Sequence, residues 1–229
     1  MRLILASASP RRRELLTQAG FVFEVRPAHV NEDVRAGEDA IAYVVRLARE
    51  KAQVVFDGMS GDGADSASHP FRTECEMDGA QGPGSCSPTL SAQDADWMGH
   101  PLIVLGADTT VTVDGQILAK PADAEDAARM LRLLRGRTHR VITGVAVVTA
   151  KGAEVAAEVT GVRFATLSDE EIAAYVATGE PMDKAGAYAI QGLAGKWIPR
   201  VEGCYFNVVG LPLALVTTML EGVGVRSAA

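Results

Sequence analysis

Between Asp57 and Gly99 lie 43 residues that cannot build a core, because seven glycines, six serines and three prolines interrupt any apolar periodicity. Whatever folds must be assembled from the two flanks. The segment reads as a mobile surface insertion that joins a helix to a strand within a single domain spanning residues 1–229. With 48% of the chain hydrophobic, the flanks are long enough to bury a sizeable core without it.

The formal net charge is −7, and its location matters more than its size. The insertion carries eight acidic residues against Arg72 alone, which accounts for −7; the remainder balances at 21 acidic and 21 basic residues. An anion site must therefore be a local cluster, and binding of nucleic acid gains no support. No run approaches the ~18 apolar residues of a membrane span, and arginines interrupt the N-terminus after Ala8 where a secretory signal would continue. The expectation is a cytoplasmic protein with no membrane partner. Cys75, Cys86 and Cys204 form no CxxC or Cys/His pattern and read as free thiols.

The flanks alternate helices and strands. A strand at 2–6 runs into a helix capped by Ser9 with Pro10 at its first position. Phe21 to Val25 is strand-like, and 39–55 places Ile41, Val44, Val45, Ala48, Ala52 and Val55 on one helical face, leaving Lys51 on the polar side. Pro101 to Ala107 is a continuous apolar strand that ends in Asp108. TVTVDGQILAKP then reads as a hairpin around Asp114-Gly115. Asp123 caps a helix stopped by Gly136, strands follow at 139–149 and 154–165, and Ser168 with Glu171 forms a capping box. A strand pair at 196–209 and a helix from Pro212 complete the chain. The hairpins make the sheet mixed, so the fold class is α/β or α+β with a mixed sheet.

LASASPRRRELL, residues 5 to 16, puts three arginines where a helix N-terminus already carries about half a positive charge. A phosphate-sized anion bound by free backbone amides, Ser7, Ser9, Arg11 and Arg12 would resolve that conflict. Solvated surface arginines are the competing account, and Arg13, about a hundred degrees round the helix, is left to solvent. Asp108 should emerge exposed at a strand end beside Thr109, or merely cap a turn. Glu32 lies in an acidic VNED loop, and single lysines such as Lys51 and Lys120 are usually exposed. EPMDKAGAYAIQG, with Tyr188 and Gln191, looks like a binding loop. No Walker A, GxGxxG, HExxH or GxSxG motif occurs, and the four histidines suggest no triad.

LASASPRRRELL, VVRLAREKA, GADTTV with ILAKP, and DKAGAYAIQG followed by VVGLPL stand in an order and spacing that resembles the Maf family, the septum-formation-inhibitor-like nucleoside triphosphate pyrophosphatases. The resemblance covers 2–56 and 101–222. It implies two lobes around a central cleft, a homodimer in many members, and hydrolysis of a nucleoside triphosphate substrate to the monophosphate and pyrophosphate with a divalent cation, Mg or Mn. By the same resemblance Asp108 and Glu32 are the catalytic and metal-holding carboxylates, and Ser7, Arg11, Arg12, Lys51 and Lys120 bind phosphate. SPRR, Asp108-Thr109 and AYAIQG resemble the dTTP/UTP branch, with Arg11, Thr109 and Gln191 as specificity residues; an amide at Gln191 complements O4 and N3–H of uracil or thymine. Two alternatives stay open: a nucleotide-binding regulator of cell division, and a pyrophosphatase for inosine or 7-methylguanosine triphosphate.

Overall fold

The structure, a computed structural model, describes residues 1–61 and 100–228. From residue 62 onward the expected insertion lies outside the described residues.

Strand β1 (Arg2–Leu5) leads into helix α1 (Pro10–Gln18), then β2 (Glu24–Val25) and the long helix α2 (Ala40–Gly61). After these come β3 (Leu102–Val113), β4 (Gln116–Leu118), α3 (Ala124–Leu134), β5 (Thr138–Thr149), β6 (Gly152–Arg163) and α4 (Asp169–Ala177). Three short 3₁₀ turns, β7 (Arg200–Glu202), α5 (Tyr205–Val209) and α6 (Leu213–Gly222) complete the described chain. The strands form one seven-stranded mixed sheet in the order β2-β1-β3-β5-β6-β7, with β4 paired to β3. Only β2–β1 and β1–β3 are parallel.

Local chemistry accounts for the boundaries. Ser9 accepts from the Arg12 amide, Asp123 from the Asp126 amide, and Ser168 with Glu171 closes a reciprocal capping box. Asp114 and Gly115 both take positive φ, 51° and 77°, as a two-residue primed hairpin turn requires.

Four expectations need correction. Helix α2 continues through Gly61 and so includes the first five residues assigned to the insertion. Strand β3 does not stop at Ala107. Thr109, Thr110 and Thr112 are β-branched, and β5 offers an unbroken antiparallel ladder from Ile103–Thr149 to Thr112–Arg140. Asp108 is thus a mid-strand residue, buried at 8% exposure. The strand pair at 196–209 is one three-residue strand followed by a helix. Gly203 turns the chain at φ 121°, and the buried Asn207 side chain donates to the Val141 carbonyl and Thr160 Oγ1, which seats α5 against the sheet instead of in a ladder. Finally, the strand read at 21–25 is reduced to two residues.

Helix α2 lies unusually close to the sheet. A Cβ on Gly106 would stand 2.1 Å from the Ala48 carbonyl oxygen, and one on Gly144 would stand 2.4 Å from the Val44 carbonyl. Both glycines are therefore required by backbone approach. The buried stripe of α2 is Val44, Leu47, Ala48, Lys51, Ala52 and Val55, while Ile41 is exposed. One apolar cluster joins β1 to α1 and α6 through Leu5, Leu16, Val216 and Leu220, and another joins α3 and α4 to the far half of β3 through Val111, Leu131, Phe164 and Ile172.

Candidate active site

Strand β1 has parallel partners on both sides, and the chain leaves it toward β2 on one side and ultimately β3 on the other. Ligands in open α/β sheets bind outside the C-terminal ends of strands at such a switch. Here β1 ends at Leu5, the amide of Ala6 makes the last rung to Leu105, and β3 continues without that neighbour. A cavity of about 450 Å³ opens there, facing the N-terminus of α1.

Every residue singled out from the sequence lines this cavity: Ser7, Arg11, Arg12, Glu32, Lys51, Asp108, Thr109, Lys120 and Gln191. Five cations line it, these two arginines and two lysines with Lys184, against the acids Glu32, Asp108 and Asp183. Local positive charge thus exists in an acidic chain, as the charge balance of the flanks allows.

Lys51 organises the acids. Its burial, at 8% exposure, contradicts the polar side assigned to it, and follows from its place seven residues after Val44 on the buried stripe. The close approach of α2 at Gly106 puts its Nζ 2.7 Å from Asp108 Oδ1 and 2.6 Å from Glu32 Oε1. Burial raises the Glu32 carboxyl, but the Lys51 hydrogen bond and the charges of Lys51, Lys120 and Arg12 outweigh it and hold the group below its ordinary value. Glu32 is also placed from behind, since Tyr43 OH donates to its carbonyl at 2.9 Å. Burial, with the negative charge of Asp108 and Glu32, pushes the Tyr43 phenol up to about 12, so it stays a donor.

Arg12 is fixed at three points: Nε donates to the Gly210 carbonyl at 2.9 Å, and the terminal nitrogens donate to Ser7 Oγ at 3.2 Å and Thr109 Oγ1 at 3.1 Å. Burial lowers its pKa, with Arg11 adding to the effect and Asp108 and Glu32 opposing it. Ser7 Oγ also accepts from the Ser9 amide at 3.2 Å. Both its lone pairs are then engaged, and its proton is left for a ligand oxygen. Arg11 pairs with Asp183 at 3.3 Å, while Arg13 is exposed, as expected.

The loop carrying Gln191 is held by groups that sequence reasoning missed. Glu180 accepts from Tyr175 OH at 2.8 Å and from the Leu193 amide at 3.1 Å, and the Ala189 amide donates to Tyr175 OH at 3.2 Å. Behind it, buried His139 meets Tyr188 OH at 2.7 Å through Nε2.

Among the described residues no group of three or more His, Cys, Asp or Glu is arranged to hold a metal. The carboxylates of Glu32 and Asp108 nevertheless converge on one cation, the Lys51 ammonium, and are hard oxygen donors of the kind Mg²⁺ prefers. No helix among the described residues is long and apolar enough to cross a membrane.

The chain is 47% identical over 225 residues to a protein of Koribacter versatilis, covering 98% of this chain and 96% of that one. It is 43% identical over 225 residues to one of Hahella chejuensis, covering 98% and 94%, and 45% identical over 219 residues to one of Shigella sonnei, covering 96% and 91%. All three carry the name dTTP/UTP pyrophosphatase. The family profile described as Maf-like protein matches residues 2–223, and the chain belongs to that family.

Proposed function

We propose that this chain is a nucleoside triphosphate pyrophosphatase that hydrolyses dTTP and UTP to the monophosphate and pyrophosphate. The observation that carries the reading is the meeting, in one cavity, of a helix N-terminus, a cation cluster and two carboxylates bridged by Lys51. The names of the relatives support the substrate class.

In this reading Ser7, Arg11, Arg12, Lys51 and Lys120 bind the triphosphate and balance the charge that develops on departing pyrophosphate. A water attacks the α-phosphorus in line, the bond from that phosphorus to the bridging oxygen breaks, and Asp108 or Glu32 takes the water's proton. Glu32 and Asp108 are also the residues that would hold Mg²⁺ or Mn²⁺, which supplies Lewis-acid polarisation of phosphate oxygens when bound. Gln191, Thr109 and Arg11 read the base. The two apolar clusters support two lobes closing on the cavity. The reading extends to a cytoplasmic homodimer, for which sedimentation of the purified chain is the check.

The test is pyrophosphate release from dTTP, UTP, CTP, ITP, GTP and 7-methyl-GTP with Mg²⁺ or Mn²⁺. Release favouring dTTP and UTP is expected, and Asp108→Asn should lower kcat by about 10²–10⁴-fold. Preference for ITP or 7-methyl-GTP would overturn the specificity; no release from any nucleotide would favour a binding and regulatory role.

A further inference from the structure

From Thr109 in the cavity wall a file of polar groups runs inward through Thr143 and Asn207, which line no part of the cavity. Thr109 Oγ1, which receives an Arg12 N–H, lies 2.9 Å from Thr143 Oγ1, and Thr143 Oγ1 donates to the Asn207 carbonyl at 3.1 Å. A guanidinium can only donate and a carbonyl can only accept, but Thr109 Oγ1 also reaches the Gly210 carbonyl at 3.4 Å, so either threonine hydroxyl has an onward acceptor for its proton. In the arrangement that uses the shorter contacts, Thr109 donates to Thr143 at 2.9 Å and Thr143 donates to the Asn207 carbonyl at 3.1 Å.

The far end is anchored. Thr143 and Asn207 are both at 0% exposure, and Asn207 Nδ2 donates to the Val141 carbonyl at 3.0 Å and to Thr160 Oγ1 at 2.9 Å. Thr160 in turn donates to the Cys204 carbonyl at 3.0 Å. Asn207 Oδ1 has no partner, a poor arrangement for a residue kept only to fill a core. It fits one kept for where it holds its backbone. We infer that Thr143, anchored by Asn207, is a positioning residue that fixes the Arg12 guanidinium in the cavity through Thr109. The inference rests on the reading that Arg12 binds phosphate.

Thr143→Val keeps the shape of the side chain and removes the hydroxyl, whereas Thr143→Ser keeps the hydroxyl. Two readouts are taken on the full chain: calorimetric affinity for inorganic pyrophosphate, and KM and kcat for dTTP. Thr143→Val should weaken pyrophosphate binding and raise KM by about tenfold with a smaller change in kcat, as expected for a displaced charged hydrogen-bond donor. Thr143→Ser should stay within about twofold of the parent, and in a Thr109→Val background Thr143→Val should add less than about twofold. Unchanged affinity and KM in Thr143→Val, or an equal loss with and without Thr109, would overturn the inference. Should Thr143→Val not fold, Thr109→Ser against Thr109→Val makes the same comparison, and equal pyrophosphate affinity in the two would overturn it. A parent chain that binds pyrophosphate but releases none from dTTP would sink the proposed activity, while the effect of Thr143→Val on affinity still decides the positioning role.

Discussion

Lys51 pairs with two carboxylates of the cavity, Glu32 and Asp108. It helps hold the Glu32 carboxyl below its ordinary value, so Lys51→Met should let that carboxyl rise and move the acid limb of the pH–rate profile to higher pH, alongside a loss of phosphate binding. An unmoved acid limb would show that Glu32 does not titrate in the reaction. His139 makes a different pH prediction. Burial lowers its pKa from 6.5 to about 4, so the native state resists the proton that the unfolded chain accepts. The stabilising contribution is complete above pH 6.5 and is lost as the pH falls toward 4. Urea unfolding should show about 2 kcal/mol less stability at pH 5 than at pH 7.5 from this residue, and His139→Gln should remove that part of the slope. Residues like these were only partly legible in the sequence. Caps and turns act over a few positions and can be read directly, but a stripe that begins at Ile41 leaves Lys51 on the polar side of the helix. Phasing from Val44, Leu47 and Ala48 would have put a lysine on the apolar face, which is itself a signal.

At the level of elements, the contact of α2 with β3 and β5 places the chemistry. Ala48 stands against Gly106, so Lys51, one turn on, reaches Asp108, two residues along the strand. Gly106→Ala would force helix and sheet apart and should cost at least about 1–3 kcal/mol, with kcat/KM falling further than Tm alone would suggest. A variant of full stability and full activity would show that α2 can shift freely. The loop bearing Gln191 depends similarly on α4. Glu180→Ala removes the acceptor shared by Tyr175 and the Leu193 amide, and should erode discrimination of dTTP from CTP before it erodes turnover. Strand β3 shows why element ends were hard to read: a carboxylate in an apolar run looks like an exit, and only the partner strand β5 reveals that the ladder continues.

For the molecule as a whole, the nine site residues, and every other described residue that lines the cavity, lie in 6–51 or 108–210. Replacing 62–99 by a flexible linker should therefore leave kcat/KM for dTTP within about threefold, since loop length acts weakly on stability. A collapse of activity in a folded deletion variant would place that segment at the site. The fold class was visible in the sequence, as were the nine candidate residues that line the cavity, whereas their assembly was not, because it depends on contacts between distant segments. The bond from Arg12 to the Gly210 carbonyl spans 198 positions, and α6 closes the apolar cluster under β1. Synthesis proceeds from the other end. A nascent chain thus carries its cations and carboxylates early but has no finished site until Gly210 and α6 have left the ribosome, which confines nucleotide turnover to chains synthesised past that helix.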